Sequence, residues 1–382
     1  MKSSKRTNII SFLKYISNVT GSTILLLVLG HFIIGMAVSI HRSTEKNKKQ
    51  IVSEDIREIL PVYDNYPEYK YYWREFNNAW GTRFEPYYHW RRNFFNGKYI
   101  NIANNGTRAS TLPKNTNTQA NIFIFGGSTT WGTGAIDKHT IPSFLQQKIN
   151  QSGLDFRVTN YGESGFVSTQ ELNLLLQQLA HGNIPDTVIF YDGVNDGYAG
   201  VYSPAIPRDV QNLRIKYKRE KKENILLKIY NFSNYKKLIN YLIKNKKWDT
   251  KVSSKIKKNS RSTIKFYEEH IRQVKALGKE YGFKTFFFWQ PNLFSSKGEK
   301  VLPYEEVILQ EYSATLKASQ QQVYKIAKSN FLNRESENIF FLGDVFSKNN
   351  KPIFIDWSHL GPDGNKIIAT KIFNSIFTNG LL

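Results

Sequence analysis

The chain of 382 residues is 40% hydrophobic and 14% aromatic, enough for a sizeable core in one large domain with appendages. It contains no Cys, which excludes a disulfide framework, Cys-ligated zinc and a thiol nucleophile while saying nothing about compartment. Its formal net charge of +22 suits an anionic partner such as nucleic acid, phospholipid headgroups or an acidic polysaccharide. An abundance of Lys, Asn and Ile accounts for the same charge as a compositional habit.

At the N-terminus no Lys, Arg, Asp or Glu occurs from Tyr15 to His41. The stretch Val19 to Ile40 spans about 33 Å as a helix, close to the ~30 Å hydrocarbon core of a bilayer. Residues 1–18 are read as a short basic segment and 19–41 as a retained transmembrane anchor. A cleaved signal peptide, with Ala37-Val38-Ser39 as its processing site, is the rival reading. Lys2, Lys5, Arg6 and Lys14 before the segment nearly balance Arg42, Lys46, Lys48 and Lys49 after it, so charge does not orient it.

Residues 42–117 are expected to be a polar stalk followed by an aromatic-rich, membrane-proximal region. Residues 61–110 follow no clean helical or strand period, which predicts an irregular layer packed on the main domain; a ligand-stacking surface is the sharper alternative.

From residue 118 to 382 a regular rhythm predicts the main domain. Strands are expected at 121–127, 156–162, 186–193, 284–291 and 338–346. Helices are expected after the first strand, over 168–182, around 260–281, around 304–329 and after Pro362. Apolar strands alternating with helices imply an α/β fold with a parallel sheet covered on both faces. A ligand site in such a sheet lies beyond the C-terminal ends of the strands. One basic insertion, at about 205–258, interrupts the rhythm. Between Arg214 and Lys258 it carries 16 Lys or Arg against three acids. It reads as two short amphipathic helices, either simply solvated or in contact with anionic lipid or glycan.

The strand ends carry the chemistry. Ser128 follows Gly126-Gly127, Gly162 follows the second strand, Asn195 and Asp196 follow Gly193, and a late loop holds Asp356 and His359 three residues apart. A hydroxyl, glycine amides, a carboxamide and an Asp–His pair at one sheet edge are equipment for attack on an ester carbonyl. Ser128 would be the nucleophile, His359 its base, and Asp356 the group holding the imidazole tautomer. The Ser128 N–H, the Gly162 N–H and the Asn195 side-chain amide are the expected oxyanion donors. The glycine turn fits neither a P-loop, since Thr133 follows Gly132, nor a G-x-S-x-G elbow, since Thr130 stands at the final glycine. "DGVNDG" (192–197) likewise lacks the ligand spacing of a cation loop.

With Ser128, Gly162, Asn195 and His359 in order and Asp356 at the D-x-x-H position, residues 118–376 resemble the SGNH (GDSL-type) hydrolases. Gly127 stands where the family name has Asp, which weakens assignment to a lipase-like subgroup. The resemblance implies a three-layer α/β/α sandwich, flavodoxin-like, with a five-stranded parallel sheet, here preceded by a transmembrane helix. The anchor, the aromatic region and Gly106 to Arg108 are similar to membrane-tethered SGNH proteins of bacterial cell envelopes.

The expected function is that of a membrane-anchored serine esterase removing acyl groups, O-acetyl foremost, from an envelope carbohydrate. An O-acyltransferase using the same acyl-serine, or a non-catalytic glycan-binding protein, are the alternatives. The expected partners are an acylated polysaccharide and the membrane, with no nucleic acid. No cofactor or metal is called for, and the catalytic domain is expected in the periplasm or outside the cell.

Overall fold

The computed structural model describes residues 15, 18–23, 25–26, 28–36, 55–202, 254–296 and 301–378. The chain divides into two compact units, one formed by residues 1–54 with 214–247 and the other by 55–213 with 248–382. In the first, helix α1 (Asn18–Met36) is long and apolar enough by length and composition to cross a membrane. Most of the basic insertion lies outside the described residues.

The second unit opens with short 3-10 turns, helix α2 (Tyr72–Asn78), an antiparallel hairpin β1 (Thr82–Glu85) and β2 (His89–Arg92), and a smaller pair β3 (Phe95–Asn96) and β4 (Asn101–Ile102). The alternating elements follow: β5 (Asn121–Gly126), α3 (Ser128–Trp131), α4 (Ile141–Gln151), β6 (Arg157–Asn160), α5 (Ser168–Ala180), β7 (Thr187–Asp192) and α6 (Val194–Tyr202). After the basic segment come α7 (Ser254–Tyr281), β8 (Lys284–Trp289), α8 (Leu293–Ser296), α9 (Pro303–Gln310), α10 (Ala314–Phe331), β9 (Ile339–Phe341) and α11 (Pro362–Phe373).

Five strands form one parallel sheet in the order β6-β5-β7-β8-β9. The side-chain period of two sends Phe123, Phe125, Val188, Phe190 and Phe287 to one face, where α5, α7 and α10 cover them. Ile122, Ile124, Ile189, Phe286 and Phe288 face the other way, under α4 and α11. This is a three-layer α/β/α sandwich around a five-stranded parallel sheet, as the sequence predicts. The strand order reverses between β5 and β7, so the crevice between their C-terminal ends is the natural ligand position.

Three boundaries differ from the periodic expectation, each for a local reason. The helix expected around 304–329 is broken at residues 311–313, where the Ser313 hydroxyl accepts from the Leu316 N–H at 3.2 Å and starts α10. The last strand stops at Phe341 because a turn follows at once, with the Val345 N–H on the Leu342 carbonyl at 3.0 Å. Helix α7, described from Ser254, already runs ahead of the start expected near residue 260, because Lys255, Lys257 and Lys258 around Ile256 break up the apolar pattern of that stretch.

The aromatic-rich region packs as a third cluster. Tyr63, Tyr69, Tyr72, Trp73 and Phe76 bury themselves against Ile100, Trp131, Ile136 and Ile355. Residues 55–117 therefore belong to the same compact unit as the sheet, and the division of the chain falls between Glu54 and Asp55.

Candidate active site

Strand β5 ends at Gly126, Gly127 occupies the N-cap position, and Ser128 is the first residue of the four-residue helix α3. This strand–turn–helix step lifts the Ser128 hydroxyl to the sheet edge. The loop of residues 354–360 comes to meet it, closed by the Ile355 N–H on the His359 carbonyl at 2.9 Å and a bridge between Phe354 and Leu360.

The His359 Nε2 atom lies 2.7 Å from Ser128 Oγ, and His359 Nδ1 lies 2.6 Å from Asp356 Oδ2. The other carboxylate oxygen of Asp356 accepts the backbone N–H groups of Ser358 and His359, each at 2.8 Å. Burial alone would raise the Asp356 carboxyl. The adjoining His359 ring and these hydrogen bonds outweigh it and hold the group well below the usual carboxylate range. The ionised Asp356 accepts a hydrogen bond from the His359 Nδ1–H, which fixes the tautomer that leaves Nε2 to accept the Ser128 O–H.

Asn195 enters at the start of α6. Its Nδ2 donates one hydrogen to the Phe166 carbonyl at 2.8 Å, and the second hydrogen of that amide remains for a ligand. Gly127 allows the approach: a Cβ there would lie 2.3 Å from Asn195 Nδ2. The position occupied by Asp in the family name is thus filled by the amide of Asn195 pressing on bare backbone.

Gly162, expected as an oxyanion donor, has its N–H engaged within the protein. Its N–H donates to Asn160 Oδ1 at 3.0 Å, and its Cα is packed against the backbone of Thr130 and Trp131. Three residues on, Gly165 has φ +81° and an N–H with no hydrogen-bond partner among the described residues. It stands next to Phe166, whose carbonyl holds Asn195. The Ser128 N–H, at the first position of α3, is likewise unused by the protein among the described residues.

Behind the site Asp196 accepts the Ser168 hydroxyl at 2.6 Å, tying α6 to the start of α5. Asp192, which has no apparent duty in the sequence, is buried and accepts the Tyr267 hydroxyl at 2.9 Å. Burial, then the charge of Asp196, pushes Asp192 up to about 7, and burial beside Asp192 pushes Glu171 up as well. Among the described residues no group of three or more His, Cys, Asp or Glu side chains is arranged to hold a metal ion.

No curated protein matches the chain. Among solved structures it is similar to a catalytic mutant of an acetylxylan esterase from Geobacillus stearothermophilus, with 14% identity, 68% of this chain and 95% of that one covered, and a TM-score of 0.38. A lipase/acylhydrolase from Enterococcus faecalis matches with 14% identity, 68% and 97% coverage and a TM-score of 0.36. A member of the lipolytic G-D-S-L family from Veillonella parvula matches with 13% identity, 68% and 98% coverage and a TM-score of 0.37. The family model of the GDSL-like lipase/acylhydrolases matches residues 122–372, which take in all of the five-stranded sheet but Asn121 and every side chain of the site described above. The chain belongs to that family and is an SGNH-type serine hydrolase of ester bonds.

Proposed function

We propose that Ser128, His359 and Asp356 form the catalytic triad of a membrane-anchored esterase that removes O-acyl groups, acetyl foremost, from an envelope carbohydrate. The observation that carries this reading is the unbroken relay from Asp356 Oδ2 through His359 to Ser128 Oγ, with links of 2.6 and 2.7 Å.

Ser128 Oγ attacks the acyl carbonyl while its proton passes to His359 Nε2, and the carbonyl π pair moves onto oxygen. The Ser128 N–H, the Gly165 N–H and the second Nδ2 hydrogen of Asn195 receive that oxyanion. Collapse expels the sugar oxygen, which takes the proton from His359. Water then attacks the acyl carbonyl as His359 Nε2 takes its proton, and collapse breaks the bond to Ser128 Oγ, which receives that proton from His359 as the free acid leaves. Helix α1 supports the anchor, and an anchored enzyme of this class would meet its carbohydrate at the outer surface.

Purified protein carrying Ser128→Ala should hydrolyse p-nitrophenyl acetate no faster than buffer; full retention of activity would overturn the triad. Surface glycan from cells with and without the protein should differ in O-acetyl content, measured by mass spectrometry. Acetate delivered to the glycan, instead of released free, would replace hydrolysis by transfer.

A further inference from the structure

The loop beside the nucleophile is gripped by residues outside the family match. Trp90, Arg91 and Arg92, consecutive in β2, are buried at 6%, 1% and 1% exposure, and each holds a different part of residues 161–166. The Arg92 N–H donates to Glu163 Oε2 at 2.9 Å, and its Nη2 donates to Ser164 Oγ at 2.8 Å. Glu163 turns its other oxygen back to the Ser164 N–H at 2.8 Å. Arg91 Nη1 donates to the Tyr161 and Gly162 carbonyls at 3.2 and 3.4 Å. Trp90 Nε1 donates to the Ser164 carbonyl at 3.0 Å, and the indole meets the Phe166 ring edge-on with centroids 5.6 Å apart. A Cβ on Gly165 would lie 3.4 Å from Trp90 Cζ2, so the indole floors that residue.

We infer that the Trp90-Arg91-Arg92 run is a positioning element for the oxyanion donors, built from the N-terminal layer onto the hydrolase fold. The inference rests on the assignment of Gly165 and Asn195 as those donors. Phe166 is what couples them: its carbonyl anchors Asn195, and its N–H is held by the Glu163 carbonyl at 3.1 Å. A shift of residues 163–166 therefore moves both donors at once. Burying Glu163 against two guanidinium groups is a poor way to gain stability, because desolvation cancels most of the attraction. What the polar contacts supply, and apolar packing would not, is a fixed place for each peptide of the loop. Donors held in advance act on the transition state more than on bound substrate, so loosening them should lower kcat and leave KM in place.

Two mild substitutions test this in the full chain. Trp90→Phe keeps a ring against Phe166 and removes the bond to the Ser164 carbonyl, while Ser164→Ala removes the acceptor of Arg92 Nη2. Each is measured alone and then in combination, with p-nitrophenyl acetate as substrate and thermal unfolding as the check on folding. The double variant should lose about 10- to 100-fold in kcat, the scale of a displaced catalytic donor, with KM unchanged to within about 2-fold. Affinity for phenylboronic acid, which becomes tetrahedral on Ser128, should fall in parallel with kcat. Unchanged kcat and boronate affinity in folded variants, or a loss confined to KM, would overturn the inference. Ser128→Ala run alongside separates the two readings. Activity surviving there strikes the triad, whereas activity lost there but intact in the double variant strikes the clamp alone.

Discussion

In the proposed mechanism Asn195 carries two tasks on one amide: one hydrogen fastens the Phe166 carbonyl at 2.8 Å and the other is left for the oxyanion. Asn195→Ala should therefore cost about 10²–10³ in kcat, the usual price of one oxyanion donor, with a much smaller change in KM. Gly127→Ala approaches the same defect from the backbone, since its new Cβ would sit 2.3 Å from Asn195 Nδ2 and push the amide aside. If so, adding Gly127→Ala to Asn195→Ala should cost little more, and full additivity in that double-mutant cycle would refute the contact. The candidate serine, asparagine, aspartate and histidine stand out in the sequence because Ser128 and Asn195 closely follow apolar strands and Asp356 and His359 lie three residues apart in one loop. The glycine does not. Gly162 and Gly165 both follow β6, and choosing between them needs the direction of an N–H. One clue did lie in the sequence. Asn160 two residues before Gly162 is the pattern of an Asx-turn, in which the side-chain oxygen takes the N–H two positions on.

At the scale of elements, the packing of α5 and α7 on the sheet buries charge-capable groups with opposite pH responses. His270 on α7 lies against the rings of Phe190, Phe287 and Tyr267, and burial pulls it from 6.5 to about 3. Below its ordinary value the unfolded chain takes up a proton that the folded chain refuses, so His270 erodes stability as pH falls from about 6.5 toward 3. Asp192 behaves the other way, with burial and then the charge of Asp196 pushing it up to about 7. Its folded carboxyl keeps a proton that the unfolded one has released, so the contribution is whole below 3.8 and disappears as pH rises through about 7. Glu171 shifts in the same direction. Replacing His270 by Phe should remove about 2 kcal/mol of the stability loss between pH 6.5 and 5. Asp192→Asn should raise stability at pH 8 more than at pH 5. Urea unfolding across pH 5–8 checks both, and curves parallel to the unsubstituted protein would refute the assignment. The strands that create this burial were legible, because β7 and β8 are short, continuous apolar runs bounded by turn residues. The helix ends were less so. Ser313 looks like any other polar residue until its hydroxyl is seen to cap a helix.

Across the whole molecule, the rhythm of strands and helices suggests a domain beginning at residue 118, whereas the compact unit begins at Asp55. The difference arises because the aromatic layer has no period of its own and forms its core only against partners far along the chain. Trp131, in the nucleophile's own helix, is fully buried beneath that layer. Phe76 meets its ring with centroids 5.9 Å apart, and the guanidinium groups of Arg92 and Arg108 lie 4.8 and 4.3 Å from its centroid. Arg108 also donates to the carbonyls of Trp131, Gly132 and Ala135 at 3.2, 2.7 and 2.6 Å, and pairs with Asp137 at 2.9 Å. These bonds fasten the end of α3, and with it the turn that presents Ser128. A chain starting at Asp55 should accordingly stay soluble without detergent and hydrolyse p-nitrophenyl acetate with the kcat of the full protein, while the full chain sediments with membranes. A chain starting at residue 118 keeps the proposed triad and the whole family match. It should nevertheless lose most of its activity, because Trp131, Ile136 and Ile355 are stripped of their cover and Arg108 is gone. Equal kcat for the two shortened chains would mean that the layer merely shields the domain, and that the nucleophile turn holds its shape without it.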